Sequence, residues 1–190
     1  SQRSIAVFCG SSSGGDPAYG RAAKAVGEAL AAGGHRLIYG GGSVGLMNVV
    51  ADTVLAGGGD VVGVITRQLL DLEVAHTGLT ELEVVADMHG RKARMAALAD
   101  GVVVLPGGFG TLDETFEILT WNQLGLVSAP VVFVDVDGYY EPLFRFIGGS
   151  VSAGFMKDHH GALAQRTGDP AHAVRLAADP APEYVPKWVD

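Results

Sequence analysis

Short runs of β-branched and aliphatic residues recur along the chain, each followed by a longer segment in which alanine and leucine return at helical spacing. The runs at 4–8, 36–39, 60–65, 82–86, 102–105 and 130–135 read as strands. Most are apolar at successive positions. A strand with one wet face alternates apolar and polar residues, whereas one covered on both faces does not. The segments near 17–32, 44–57, 88–99, 111–124, 139–152 and 170–178 read as helices. Buried strands alternating with helices predict an α/β fold, a doubly wound and mainly parallel sheet flanked by helices, Rossmann-like, in one domain over 1–190. The stretch 66–80, "TRQLLDLEVAHTGLT", is weakly periodic and predicts a short helix and loop beside a site. The proline-punctuated tail 180–190 is expected to pack on the surface. There is no internal repeat and no linker.

Composition narrows the functional classes. At 190 residues, with 48% hydrophobic and 18% charged residues, the chain can bury a core without disulfides or metal. No apolar run is long enough to span a bilayer, and "SQRSIAVFCG" reads as a first strand in place of a signal peptide. Cys9 is the only cysteine, which fits a reducing cytoplasm and a small buried residue. A net charge of −8 argues against a general nucleic-acid binder but not against a small anionic ligand.

Ligands of parallel sheets bind at the carboxyl ends of the strands. Three unusual loops fall there: "CGSSSGG" after the first strand, "YGGGSVGLMN" after the second and "PGGFGT" after the fifth. Glycine admits backbone amides close to an anion, and the following helix N-terminus adds partial positive charge. One such loop signifies little, since glycine also simply joins strands to helices; three at one sheet edge point to a nucleotide-like ligand. Gly40 to Gly45 satisfies G-x-G-x-x-G, but Asp60, the acid at the dinucleotide spacing, begins the next strand where the motif needs it at the end. A nicotinamide cofactor is therefore disfavoured. Gly10 to Gly14 satisfies G-x-S-x-G, yet Asp16-Pro17 delays the helix that a nucleophile elbow starts at once. Phosphate-binding serines fit better.

Thr111-Leu112-Asp113-Glu114 reads as a capping box, with Thr111 as N-cap. That explains part of "PGGFGTLDE" but not its glycines. Asp113, Glu114 and Glu117 share a face, with no lysine or arginine on the same helix, so they look kept for chemistry. In "DMHGRKARMAALAD", Arg91 falls inside the stripe of Met88, Met95 and Leu98. An arginine on a buried face needs a carboxylate or a phosphate partner, and spacing leaves both open. His159 and His160 are expected at the surface, and His89 beside the site.

"YGGGSVGLMN", "DMHGRKARM" and "PGGFGTLDE", with "CGSSSG" and "DVDGYY", resemble the signature blocks of the LONELY GUY family of cytokinin-activating phosphoribohydrolases. Members have often been labelled lysine decarboxylases, but no lysine here stands out as a Schiff-base candidate. The resemblance implies hydrolysis of the N-glycosidic bond of purine ribonucleoside 5′-monophosphates, N6-prenylated adenine nucleotides above all, giving free base and ribose 5-phosphate. It implies Arg91 and Glu114 as the catalytic pair, with Lys92, Gly108, Gly110, Thr111, Glu73 and Thr120 at substrate-binding positions. Ser11, Ser12, Gly41, Gly42 and Glu117 complete the expected site. Asp113 stands where the family motif often has Glu. No cofactor and no metal are expected, and the resemblance implies a homodimer. An AMP nucleosidase would share every one of these residues, and a nucleotide carrier would need the loops without a carboxylate beside the ribose. Base preference would rest on pocket walls such as Met88, Met95 and the 66–80 segment.

Overall fold

The computed structural model describes residues 1–72, 75–181 and 183–187. Each apolar run forms a strand within a residue or so of its expected place: β1 (Ser4–Phe8), β2 (Arg36–Tyr39), β3 (Val61–Thr66), β4 (Glu81–Val85), β5 (Gly101–Val104) and β6 (Val131–Val134). A seventh, β7 (Ala164–Thr167), was not expected, because "AQRT" has no apolar run and lies at a sheet edge. The helices are α1 (Pro17–Ala32), α2 (Gly45–Ala56), α3 (Arg67–Leu72), α4 (Met88–Leu98), α5 (Phe109–Gln123), α6 (Glu141–Ser152), α7 (Asp158–Gly161) and α8 (Pro170–Ala178).

All strand pairs are parallel, in the order β4-β3-β2-β1-β5-β6-β7. Side chains of β1 alternate between two cores. Ile5 and Val7 pack with Val26, Leu30, Val50, Val54 and Val174 of α1, α2 and α8, whereas Ala6 and Phe8 pack with Met95, Ile118 and Tyr140 on the other face. Burial on both faces is why the strands are apolar throughout. The chain winds outward from β1 to β4, then returns to β1 and winds the other way through β5 to β7. That reversal opens a crevice between the carboxyl ends of β1 and β5, the place where open parallel sheets bind ligands.

Two local expectations change. Helix α5 begins at Phe109 with Gly108 as N-cap, φ −107° and ψ −144°, and no side chain caps it. Thr111 is therefore inside the first turn, buried, and Glu114 is a turn further along; the capping-box pattern matched the composition but not the register. His160 is buried where the doublet was expected at the surface, with Nε2 3.3 Å from the Val185 carbonyl. Burial lowers its pKa.

Candidate active site

Arg91 projects from α4 under the carboxyl ends of β2 and β3, and only 8% of the residue is exposed. Its Nε donates to the Val64 carbonyl at 2.9 Å and its Nη2 to the Gly40 carbonyl at 3.0 Å. A Cβ at Gly40 would fall on Nη2, so this glycine is there to admit the guanidinium. Two carbonyls fix the plane of the group but leave its charge largely uncompensated. The remaining Nη1 faces Glu114 of α5, 3.6 Å from Oε1, an ion pair longer than a hydrogen bond. Burial pushes the Glu114 carboxyl up to about 7, against the opposing pull of Arg91, with a smaller push from Asp113. A carboxyl poised near neutral pH inside a cleft is suited to exchanging protons.

Arg91 and Glu114 line a cavity of about 260 Å³, together with Ser11, Gly108, Gly110 and Thr111. The first hydrogen bond of α5 runs from the Leu112 amide to the Gly108 carbonyl at 3.1 Å. The amides of Phe109, Gly110 and Thr111 lie ahead of it, without a preceding helical carbonyl, and form an electropositive helix start. Among the described residues nothing lies within 4 Å of where a Cβ at Gly108 or Gly110 would sit, so their smallness serves open space, not packing. An adjoining cavity of about 330 Å³ shares Gly10, Ser11 and Gly108 and adds Ser12, Ser13, Gly107 and Tyr139.

Other expected site residues have different surroundings. Gly41 (φ +76°) and Gly42 are buried, where the Gly41 carbonyl accepts from the His76 amide at 3.1 Å and Gly42 bridges to Ala75. They hold the 75–80 loop and do not line the cavity. Lys92 Nζ lies 2.6 Å from Glu117 Oε2 and 3.2 Å from Asp113 Oδ2, and the contact with Glu117 raises its pKa. The cation missing from α5 is thus supplied by α4, across a helix pair that sequence spacing does not reveal. Lys92, Glu114 and Glu117 border a small crevice behind the main cavity. Thr120 is exposed, its hydroxyl donating to the Phe116 carbonyl at 2.7 Å, away from the cavity. Glu73 lies outside the described residues. Cys9, Met47, Leu69 and Phe109 also line the cavity, each from a segment the sequence had placed at the site but not singled out as a residue, apart from Phe109 within the loop from Gly108 to Thr111. Cys9, Met47 and Phe109 lie inside the three glycine loops and Leu69 inside the 66–80 segment, which was the available signal. Burial pushes the Cys9 thiol up, with Glu114 adding to it, so the group stays protonated.

A family model described as "Possible lysine decarboxylase" matches residues 47–177. The Arabidopsis thaliana protein named cytokinin riboside 5′-monophosphate phosphoribohydrolase LOG7 is 44% identical over 180 residues, covering 95% of this chain and 83% of its own. The cytokinin riboside 5′-monophosphate phosphoribohydrolase of Rhodococcoides fascians is 45% identical over 174 residues, covering 85% of this chain and 88% of its own. Among solved structures, the molybdenum cofactor binding protein of Rippkaea orientalis superposes with a TM-score of 0.70 at 19% identity, covering 93% of this chain and 95% of that one. That likeness is one of fold.

Proposed function

This chain belongs to the LONELY GUY (LOG) family, and from that premise we propose that it hydrolyses the N-glycosidic bond of cytokinin-type ribonucleoside 5′-monophosphates. The products are a free N6-substituted adenine and ribose 5-phosphate. One observation carries the reading at the level of chemistry: a buried carboxyl with a pKa of about 7 lies 3.6 Å from a carbonyl-clamped arginine, in a cavity closed by an open helix N-terminus. A carrier needs the helix start but has no use for this pair. A decarboxylase reading finds little support, since among the described residues no lysine lines the cavity and Lys92 is committed to Glu117 and Asp113.

In this reading the 5′-phosphate rests on the amides at the start of α5 with help from Ser11, Ser12 and Thr111. The ribose then lies over Glu114. As the C1′–N9 bond breaks, its electron pair leaves with the base and the sugar gains oxocarbenium character. The Glu114 carboxylate stabilises that charge and takes a proton from the water whose oxygen bonds to C1′, and this proton then passes to the departing purine, which restores the carboxylate. Arg91 keeps a share of Glu114 ionised and offers positive charge to the departing purine. No cofactor enters these steps. Lys92 and Glu117 act one layer back, by holding α4 to α5.

The finer expectations extend the proposal. The protein works as a cytoplasmic homodimer and does not bind nucleic acid, in keeping with its net charge of −8. The direct test follows release of base from isopentenyladenosine 5′-monophosphate and from AMP. The native chain is expected to release base and ribose 5-phosphate, faster from the prenylated nucleotide, and Glu114→Gln or Arg91→Ala to cut kcat/KM by at least about a hundredfold with the fold retained. Binding without cleavage by the native chain would hand the lead to the carrier reading.

A further inference from the structure

The "DVDGYY" block beyond β6 is not used in the chemistry above, yet its two tyrosines hold the "PGGFG" loop. Four consecutive carbonyls in that loop each accept a hydrogen bond. Leu105 accepts from the Tyr140 hydroxyl at 2.6 Å, Pro106 from the Gly10 amide at 3.0 Å, Gly107 from the Tyr139 hydroxyl at 2.5 Å and Gly108 from the Leu112 amide at 3.1 Å. The Gly107–Gly108 peptide is the vulnerable member of this series. A peptide unit between two glycines turns over with little steric resistance, because neither flank has a Cβ. The opposite sides of a trans peptide carry its carbonyl and its amide, so fixing the Gly107 carbonyl also fixes where the Gly108 N–H points. Among the described residues, the Tyr139 hydroxyl is what fixes it.

We infer that Tyr139 is a positioning residue for the proposed reaction: by tethering the Gly107 carbonyl it turns the Gly108 amide away from itself, to join the amides of Phe109, Gly110 and Thr111 on the side that receives the phosphate. The inference rests on the phosphate assignment made above. Tyr139 lines the second cavity but not the first, whereas Gly108 lines both, so the tethered peptide stands at the border between Tyr139 and the Arg91–Glu114 side. The phenol is itself well placed for this task. It follows Asp137, which is the non-glycine residue with positive φ (50°) among those described. Its ring packs edge-on against Tyr19 at 5.7 Å and against Tyr140 at 4.9 Å. Tyr140 contrasts with it. That residue is buried, and its hydroxyl bonds to the loop's first carbonyl, remote from any amide offered to a ligand.

The test compares Tyr139→Phe and Tyr140→Phe with the native chain by calorimetric titration with ribose 5-phosphate and by steady-state kinetics on the nucleotides. Tyr139→Phe keeps the ring and loses the tether. It is expected to weaken ribose 5-phosphate binding and raise KM about tenfold, with kcat within about twofold and an unchanged melting temperature. Tyr140→Phe is expected to lower the melting temperature and leave the affinity alone. Equal affinity in Tyr139→Phe and the native chain would overturn the inference by itself. So would an equal loss in both variants, which would mean general loosening of the loop. If the native chain neither binds ribose 5-phosphate nor cleaves nucleotide, the functional reading fails and this inference falls with it.

Discussion

The carboxyl of Glu114 titrates near 7 in the folded chain against an ordinary 4.5, because burial disfavours its charge more than Arg91 favours it. A folded-state pKa raised above the unfolded one means that the native state binds the proton more tightly. The associated stability is complete below about 4.5 and is lost as pH rises through about 7. The full loss corresponds to at most about 3.5 kcal/mol at about 1.4 kcal/mol per unit. Glu114→Gln replaces the charge with a neutral group of the same shape, so it is expected to stabilise the protein by about 1–3 kcal/mol at pH 8 and by almost nothing at pH 4.5. Urea unfolding at the two pH values measures this, and a gain independent of pH would contradict the burial argument. Arg91 was legible in the sequence because a charge inside an apolar stripe is an anomaly. Glu114 was legible from its motif. The partners of Lys92 were not, since Asp113 and Glu117 lie on a different helix and only packing brings them within reach.

At the scale of elements, α5 shows how one glycine run serves two ends. Gly107 is needed for packing: a Cβ there would strike the Thr111 hydroxyl and crowd the Gly10 amide. Gly110 is not, for it is exposed in the first turn and none of the described residues comes within 4 Å of a Cβ there. Glycine in a helix costs up to about 1 kcal/mol relative to alanine. Gly110→Ala is therefore expected to raise stability by about 0.5–1 kcal/mol while placing a methyl where the phosphate should rest, raising KM at least about tenfold. Thermal unfolding beside nucleotide kinetics separates the two effects, and a more stable variant with native KM would remove Gly110 from the phosphate site. The helix itself was legible from its spacing, but its start was not. "TLDE" carries the composition of a capping box, and the chain instead begins the helix three residues earlier, with Gly108 in place of Thr111 as the cap. Turn chemistry that depends on an absent Cβ leaves no residue to read. Gly41 and Gly42 misled for the same reason, since a glycine needed to seat a loop and one needed to admit a ligand look alike.

At the scale of the whole molecule, the parallel sheet was legible because burial on both faces removes alternation from every central strand. Its order was not, and neither was β7: nothing local in "AQRT" says that it will pair with β6. The reversal between β1 and β5 matters most, because it gathers two separate glycine loops into one crevice. The same molecule leaves large apolar groups uncovered along α5. Phe109 is 96% exposed, and Phe116, seven residues on and so on the same helical face, is 39% exposed. Leu126 beyond the helix is 69% exposed. Exposed apolar groups in succession on one element mark an association surface, and here that element also carries Glu114. A homodimer through this face would tie assembly to activity. Two chains of net charge −8 repel each other, so the dimer should tighten as salt screens them. Sedimentation of the native chain is expected to show a species of twice 19.6 kDa, strengthened by salt. Phe116→Glu is expected to give a folded monomer with impaired turnover. A Phe116→Glu chain that sediments like the native one would move the interface elsewhere, and an active monomer would uncouple assembly from the site.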